Sequence, residues 1–205
     1  MMPRMSIVRL VLLGALALVR SASGGVAQGP IVDPADGHIY YLLQSTTWTN
    51  SESQALSLGG TLATVNNQAE NTWILDTFGT TAEAAGDDLW IGLHDPTTGD
   101  GTGAQHKADF VWADGETVAF TNWAAGEPNN DPNFGGEYFA SLATYAHSGF
   151  SPGEWNDKSN SSSGVPSMGV VEVAPEPAAV GIAGAAGLMA LRLRKQTSRS
   201  DRPVM

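Results

Sequence analysis

Six tryptophans fall between Trp48 and Trp155, and the chain contains no cysteine. Together these facts bound the fold. With no disulfide available, the domain must be held by its own apolar core, by bound metal, or by both. A buried aromatic side chain removes roughly 150–250 Å² from water, so six indoles can supply much of that core. A chain of 205 residues has room for one such domain plus ends.

The charge is distributed unevenly. Residues 28–177 hold Lys107 and Lys158 against twenty carboxylates, a net charge of −18. A field of that sign repels phosphate backbones and excludes nucleic acid as a partner. It favours cations, neutral ligands or basic partners. The other eight basic residues sit near the two ends.

Both ends read as addresses. Arg4 and Arg9, the apolar run Leu10–Val19 and small residues up to Ala27 have the layout of a secretory leader, with cleavage expected near Ala27-Gln28. Residues 28–37 then read as a linker. At the other end, Pro175-Glu176-Pro177 precedes a 14-residue apolar stretch, Ala178–Leu191, and the basic cluster Arg192–Lys195. As a helix that stretch is about 21 Å long, short of the ~20 residues needed to span a bilayer. It suits transient anchoring with the basic end held inside.

Between the ends, His38–Leu43 reads as a strand. Thr49–Leu58 reads as a helix with Ala55, Leu56 and Leu58 inward, stopped by Gly59-Gly60. Leu62–Val65 is a short strand. Asn66–Phe78 is a second helix with Trp73, Ile74 and Phe78 inward, and Leu89–Leu93 is a buried strand. A loop over about 94–108 follows. Phe110-Val111-Trp112 and Val118-Ala119-Phe120 flank Asp114-Gly115, a hairpin signal. Tyr138–Leu142 and Met168–Val173 are strands, and Trp155-Asn156-Asp157 begins a strand or turn. The predicted class is α+β: two helices, short antiparallel strands and long loops.

Those loops carry the chemistry. Glu127, Asn129, Glu137, Asn156 and Asp157 offer three carboxylates and two carboxamides, with no Cys or His among them. That is a donor set for a hard cation such as Ca²⁺, which takes six to eight oxygens at roughly 2.3–2.6 Å. The four histidines, His38, His94, His106 and His147, show no metal-ligand spacing.

From His38 to Val173 the chain resembles a C-type lectin-like domain. The resemblance rests on Leu58-Gly59-Gly60, Leu62-Ala63-Thr64-Val65, Trp90-Ile91-Gly92-Leu93, Phe120-Thr121-Asn122-Trp123, Glu127-Pro128-Asn129 and Trp155-Asn156-Asp157, in the family's order. It implies a cis peptide before Pro128, with Glu127 and Asn129 directing oxygens to one ion that Glu137, Asn156 and Asp157 complete. The same five residues would bind vicinal sugar hydroxyls, and the Glu-Pro-Asn order implies the mannose/glucose type. Asp95 and Asn130 are the candidates for a second ion, with Asp100 able to join if its loop folds back. The family's half-cystines are absent, and Thr144–Glu154 is an insert expected to reshape the rim or cover the ion. The tail resembles the bacterial exosortase (PEP-CTERM) sorting signal, which implies a processing protease acting near Pro175–Pro177 and release to the cell surface or extracellular matrix.

Three function classes follow. The leading one is an exported, calcium-dependent module binding glycans or exopolysaccharide, without chemistry. The second is a surface or matrix adhesion protein that uses the same fold to bind protein. The third, a glycoside hydrolase, would need a pair such as Glu127 and Glu137 free to act as acid and nucleophile. As ion ligands they could not.

Overall fold

The computed structural model describes residues 25–97, 104–160 and 167–175. The expected leader up to residue 24, Asp100, and the tail from Glu176 onward lie outside the described residues. Among those described, no helix is long and apolar enough to cross a membrane.

Among the described residues, eight strands and three α-helices form an α+β domain. In chain order they are β1 (Val26–Val32), β2 (Ile39–Leu43), α1 (Trp48–Leu58), β3 (Thr61–Leu62), α2 (Gln68–Ala85), β4 (Asp88–His94), α3 (Ala104–Asp109), β5 (Val111–Trp112), β6 (Phe139–Leu142), β7 (Trp155–Lys158) and β8 (Ser167–Val173). The sheet runs β1-β2-β8-β4-β6-β7, with β3 paired to β8 and β5 to β4. All pairs are antiparallel except β4 with β8, which is parallel. The strands were expected to be antiparallel, and the β4–β8 pair departs from that.

Local chemistry sets the helix ends. The Thr47 side chain accepts from the Asn50 amide at the start of α1, and Asn67 accepts from the Glu70 amide at the start of α2. Gly59 closes α1 at a φ of 90°, a left-handed conformation that glycine adopts without penalty. The next residue, Gly60, lies so close to β8 that a Cβ there would stand 1.9 Å from the Glu172 carbonyl oxygen. The pair thus stops the helix and lets β3 pack against the sheet.

The core holds what composition promised. Trp48, Trp90, Trp112 and Trp155 are buried, while Trp73 and Trp123 pack against the core partly exposed. Trp112, Trp123 and Phe120 all meet Trp155 edge-on, with ring centroids 5.6–5.9 Å apart. Indole nitrogens are spent on long-range hydrogen bonds: Trp48 to the Ile91 carbonyl at 2.8 Å, Trp90 to the Thr46 carbonyl at 2.9 Å, Trp155 to Asn71 Oδ1 at 2.7 Å.

Several expectations are corrected. The stretch read as a linker, 28–37, contains most of β1, which begins at Val26 and pairs irregularly with β2. Its side chains are largely exposed and its ladder is bulged, so no alternating apolar pattern marked it. Leu56 faces solvent, 61% exposed, because α1 buries Trp48, Ser51 and Ala55 instead. The second helix runs on to Ala85, adding Ala82 to its buried face. The loop at 94–108 gives way to α3 at Ala104. The hairpin around Asp114-Gly115 does not form: β5 pairs with β4, and Val118–Phe120 is not a strand. The turn signal was real, since Gly115 has a φ of 83°, but Phe120 is drawn onto Trp155 rather than onto β5.

Candidate functional site

Strand β7 is the platform of the site. Its four residues alternate, Trp155 and Asp157 buried, Asn156 and Lys158 half-exposed. Trp155 is locked by Asn71, whose amide nitrogen donates to the Gly153 carbonyl at 3.0 Å; Asn122 donates to the same carbonyl at 2.7 Å. This clamp fixes where Asn156 and Asp157 stand.

Across from β7 lies the loop 124–137, and Asp157 holds the two together. Its Oδ1 accepts from the Asn129 amide at 3.0 Å and its Oδ2 from the Asn130 amide at 2.8 Å. The Glu127-Pro128 peptide is cis, as the resemblance implied. Asn130 takes a φ of 49°, a left-handed conformation asparagine tolerates better than most residues. Its Oδ1 accepts from the Glu137 amide at 2.9 Å, and Glu137 Oε2 accepts from the Asp131 amide at 3.0 Å. The loop is thus folded around its own carboxylates.

A groove of about 320 Å³ opens here, lined by Glu127, Asn129, Glu137 and Asn156 together with Asp88, Asp131, Phe134, His147, Ser148, Phe150, Lys158 and Ser159. Four of the five predicted residues line it. The fifth, Asp157, is fully buried behind them. Asp95 and Asn130, offered for a second ion, are buried and do not line the groove. Asp95 Oδ1 accepts from the Thr97 amide and hydroxyl, both at 2.7 Å, and its own amide donates to the Tyr138 carbonyl.

The carboxylates raise one another. Burial pushes Glu127 up to about 7, reinforced by the adjacent Asp157 carboxylate and the Glu137 charge and opposed by Asn129. Burial also pushes Glu137 up to about 7; the Asp131 amide and Lys158 pull it down, while the Asp157 and Asp131 charges push it up. Glu127 Oε2 is buried with no hydrogen-bond partner. A buried carboxylate oxygen facing other carboxylates with no donor is costly unless a cation neutralises it. The donor set, all oxygen, fits Ca²⁺. Glu127, Asn129, Glu137, Asn156 and Asp157 would hold it.

Of the remaining lining, His147, Ser148 and Phe150 come from the insert 144–154, which was expected to reshape the rim; sequence reasoning missed the others. Asp88, at the start of β4, accepts from Lys158 Nζ at 3.3 Å and meets His147 Nε2 at 2.9 Å. Lys158 also donates to Ser167 Oγ at 2.9 Å and lies 5.2 Å from the Trp90 ring centre. The two contacts of Asp88 join residues 59 and 70 positions apart, and no local motif announces them.

A second cluster lies on the other flank of the sheet. Asp36, His38 and Glu172 are the one group of three His or acidic residues among those described whose ligand atoms all fall within 4.8 Å. No three carboxylates of the groove meet that limit among the described residues. His38 Nδ1 meets Glu172 Oε1, and Glu172 Oε2 accepts from the Thr64 amide at 3.0 Å. Glu70 joins them through Tyr40, whose hydroxyl donates to its Oε1 at 3.3 Å.

The chain resembles known proteins over the same region. The lectin C-type domain matches residues 44–164. The human C-type mannose receptor 2 is 33% identical over 102 residues, covering 49% of this chain. The lectin BRA-3 of Megabalanus rosa is 32% identical over 101 residues, covering 48% of it. These matches span 6% of the receptor's length and 54% of the barnacle lectin's. Among solved structures, the C-type lectin CEL-I from Cucumaria echinata superposes with a TM-score of 0.51 at 25% identity, covering 75% of this chain and 96% of CEL-I. With the fold, the loop geometry and the family match over more than half its length, this chain belongs to the C-type lectin domain family.

Proposed function

We propose that this protein binds carbohydrate through a calcium ion held by Glu127, Asn129, Glu137, Asn156 and Asp157, and does no chemistry on it. The observation that carries the reading is Glu127 Oε2, a buried carboxylate oxygen without a donor beside two further carboxylates and two carboxamides. Bound there, the ion would offset the charge that raises Glu127 and Glu137 and offer its remaining coordination positions to vicinal hydroxyls. The asparagine amides donate to those hydroxyls and the glutamates accept from them. The similarity to a mannose receptor and to barnacle and sea-cucumber lectins supports sugar as the ligand. The Glu127-Pro128-Asn129 order supports the mannose/glucose type.

A glycan array run in calcium and in chelator tests this. Binding of mannose- or glucose-type glycans that chelator abolishes is expected; binding indifferent to chelator refutes it. Glu127→Gln with Asn129→Asp keeps the charge of the site and exchanges its donors and acceptors. It should lose mannose-type ligands and gain some galactose-type binding.

The leader-like residues 1–27 and the tail from Pro175 support export by way of a membrane-held precursor that is trimmed, with glycans outside the cell as partners. Mass spectrometry of the mature protein from its host should show the chain ending near Pro175–Pro177. A C-terminus at Val204-Met205 refutes the processing.

A further inference from the structure

The groove reaches past the carboxylate cage. At about 320 Å³ it matches the lower end of clefts that take drug-sized ligands, roughly 300–1,000 Å³, and a single hexose is smaller than those ligands. Its lining includes an aromatic ring from each of two separate loops. Phe134 ends the short 3-10 turn Pro132–Phe134 and is 63% exposed. That turn is set by Asp131, whose side chain accepts from the Asn133 amide at 2.9 Å. Phe150 comes from the insert and packs edge-on to His147 with centroids 5.7 Å apart.

The insert is a built wall. The Thr144 hydroxyl donates to the Asp87 carbonyl at 2.7 Å, His147 meets Asp88 at 2.9 Å, the Phe150 amide donates to the His147 carbonyl at 2.8 Å, and the Ser151 amide donates to Glu154 at 2.7 Å. A wall held by its own hydrogen bonds loses little entropy when a ligand arrives.

From this geometry we infer that the site takes a neutral oligosaccharide of two or more rings, one ring at the cage and the next with its C–H face against Phe134 and Phe150. The inference rests on the sugar-binding reading above and deepens it. Neutrality follows from charge. Asp88, Glu127, Asp131 and Glu137 line the groove against one cation, Lys158, which is already engaged by Asp88 and Ser167. Even with a divalent ion bound, the groove would repel uronic or sulfated sugars.

The test is titration calorimetry in calcium, using methyl α-mannoside, methyl α-glucoside, the neutral di- and trisaccharides that end in them, and glucuronate-containing analogues. The readout is the ratio of each oligosaccharide's affinity to that of its own terminal glycoside. A ratio of about tenfold is expected, the equivalent of ~1.4 kcal/mol. Phe134→Ala, at an exposed position, should collapse it toward one, as should Phe150→Ala. Equal affinities for one ring and several, an unchanged ratio in both variants, or tighter binding of the glucuronate analogues overturns the inference while leaving the cage reading intact. No sugar binding at all, with calcium bound, overturns both.

Discussion

Two flanks of one sheet bury glutamates, and they do so on different terms. On the β2–β8 side, Glu172 and Glu70 are matched by donors from the chain: His38, the Thr64 and Asn66 amides, and the Tyr40 hydroxyl. On the β7 side, Glu127 and Glu137 face Asp157, and Glu127 Oε2 has no donor. Burial raises the pKa of all four glutamates. A raised carboxylate is therefore no mark of function by itself. What separates the two clusters is whether the protein completes the hydrogen bonding. The first is closed and braces β2, β3 and α2 against β8. The second is left open to be completed from outside.

The sharpest way to break this contrast is to add and remove calcium. Binding to the folded state alone stabilises it by roughly 2.7 kcal/mol at a hundredfold excess over Kd, which for a chain of this size shifts Tm by about 5–10 °C. Calcium should raise Tm against chelator by that order, and magnesium should do much less. Asp157→Ala should abolish the calcium response. It should also cost about 1–3 kcal/mol in chelator, because the Asn129 and Asn130 amides lose their acceptor. An Asp157→Ala protein with a full calcium shift would dissolve the distinction between the clusters.

Glu172→Ala is the counterpart on the closed side. It strands His38 and the Thr64 amide, so a loss of about 1–3 kcal/mol is expected. That loss should be the same with calcium as with chelator, as denaturant melts in each would show. A loss appearing only in calcium would mean that Asp36, His38 and Glu172 hold an ion of their own.

A pH series separates the clusters more gently. Glu127 and Glu137 titrate near 7 in the folded protein, above the ordinary glutamate value. A raised folded pKa favours the fold when the group is protonated. That contribution is fully present below about 4.5 and is lost as pH rises through 7. The calcium-free protein should therefore weaken between those limits, and calcium binding should release protons and strengthen with pH up to about 7. Glu70 adds loss of the same sign, but calcium should not cancel it. The difference between the calcium and chelator curves reports the β7 side alone. A flat difference from pH 4.5 to 7.5 would show that the ion does not sit among these glutamates.

Much of this was legible in the chain because it was local. The Gly59-Gly60 stop and the Trp90–Leu93 strand follow from neighbouring residues, and α1 was placed to within a residue at its start. Four of the five proposed ion ligands lie in the compact motifs Glu127-Pro128-Asn129 and Trp155-Asn156-Asp157, and Glu137 stands alone between them. Strand β1 was hidden because its faces are both largely exposed. The insert at the rim was expected, but the contacts that fix it were hidden because Asp88, His147 and Lys158 meet only through tertiary packing. The closed cluster was hidden for the same reason: His38 and Glu172 are 134 positions apart.

The smallest effect comes from making the same substitution on both flanks. Glu70→Gln keeps an oxygen to accept from the Asn66 amide, which donates to Glu70 Oε2 at 2.8 Å. Its new amide can donate to the Tyr40 hydroxyl, which accepts as readily as it donates. No partner is lost, and the burial that pushes Glu70 up to about 7 no longer opposes a charge. Stability at pH 5 should be unchanged within about 0.5 kcal/mol, and at pH 8 it should rise slightly, flattening the slope measured in chelator. The calcium shift should be untouched. Glu127→Gln is as conservative on paper, yet it takes a charge from the oxygen set that would hold the ion, so the calcium shift should fall sharply. Parallel melts of the two variants measure this directly. If Glu70→Gln weakened the calcium response as much as Glu127→Gln does, the two flanks would be one coupled site, and completion from outside could no longer be assigned to the β7 side.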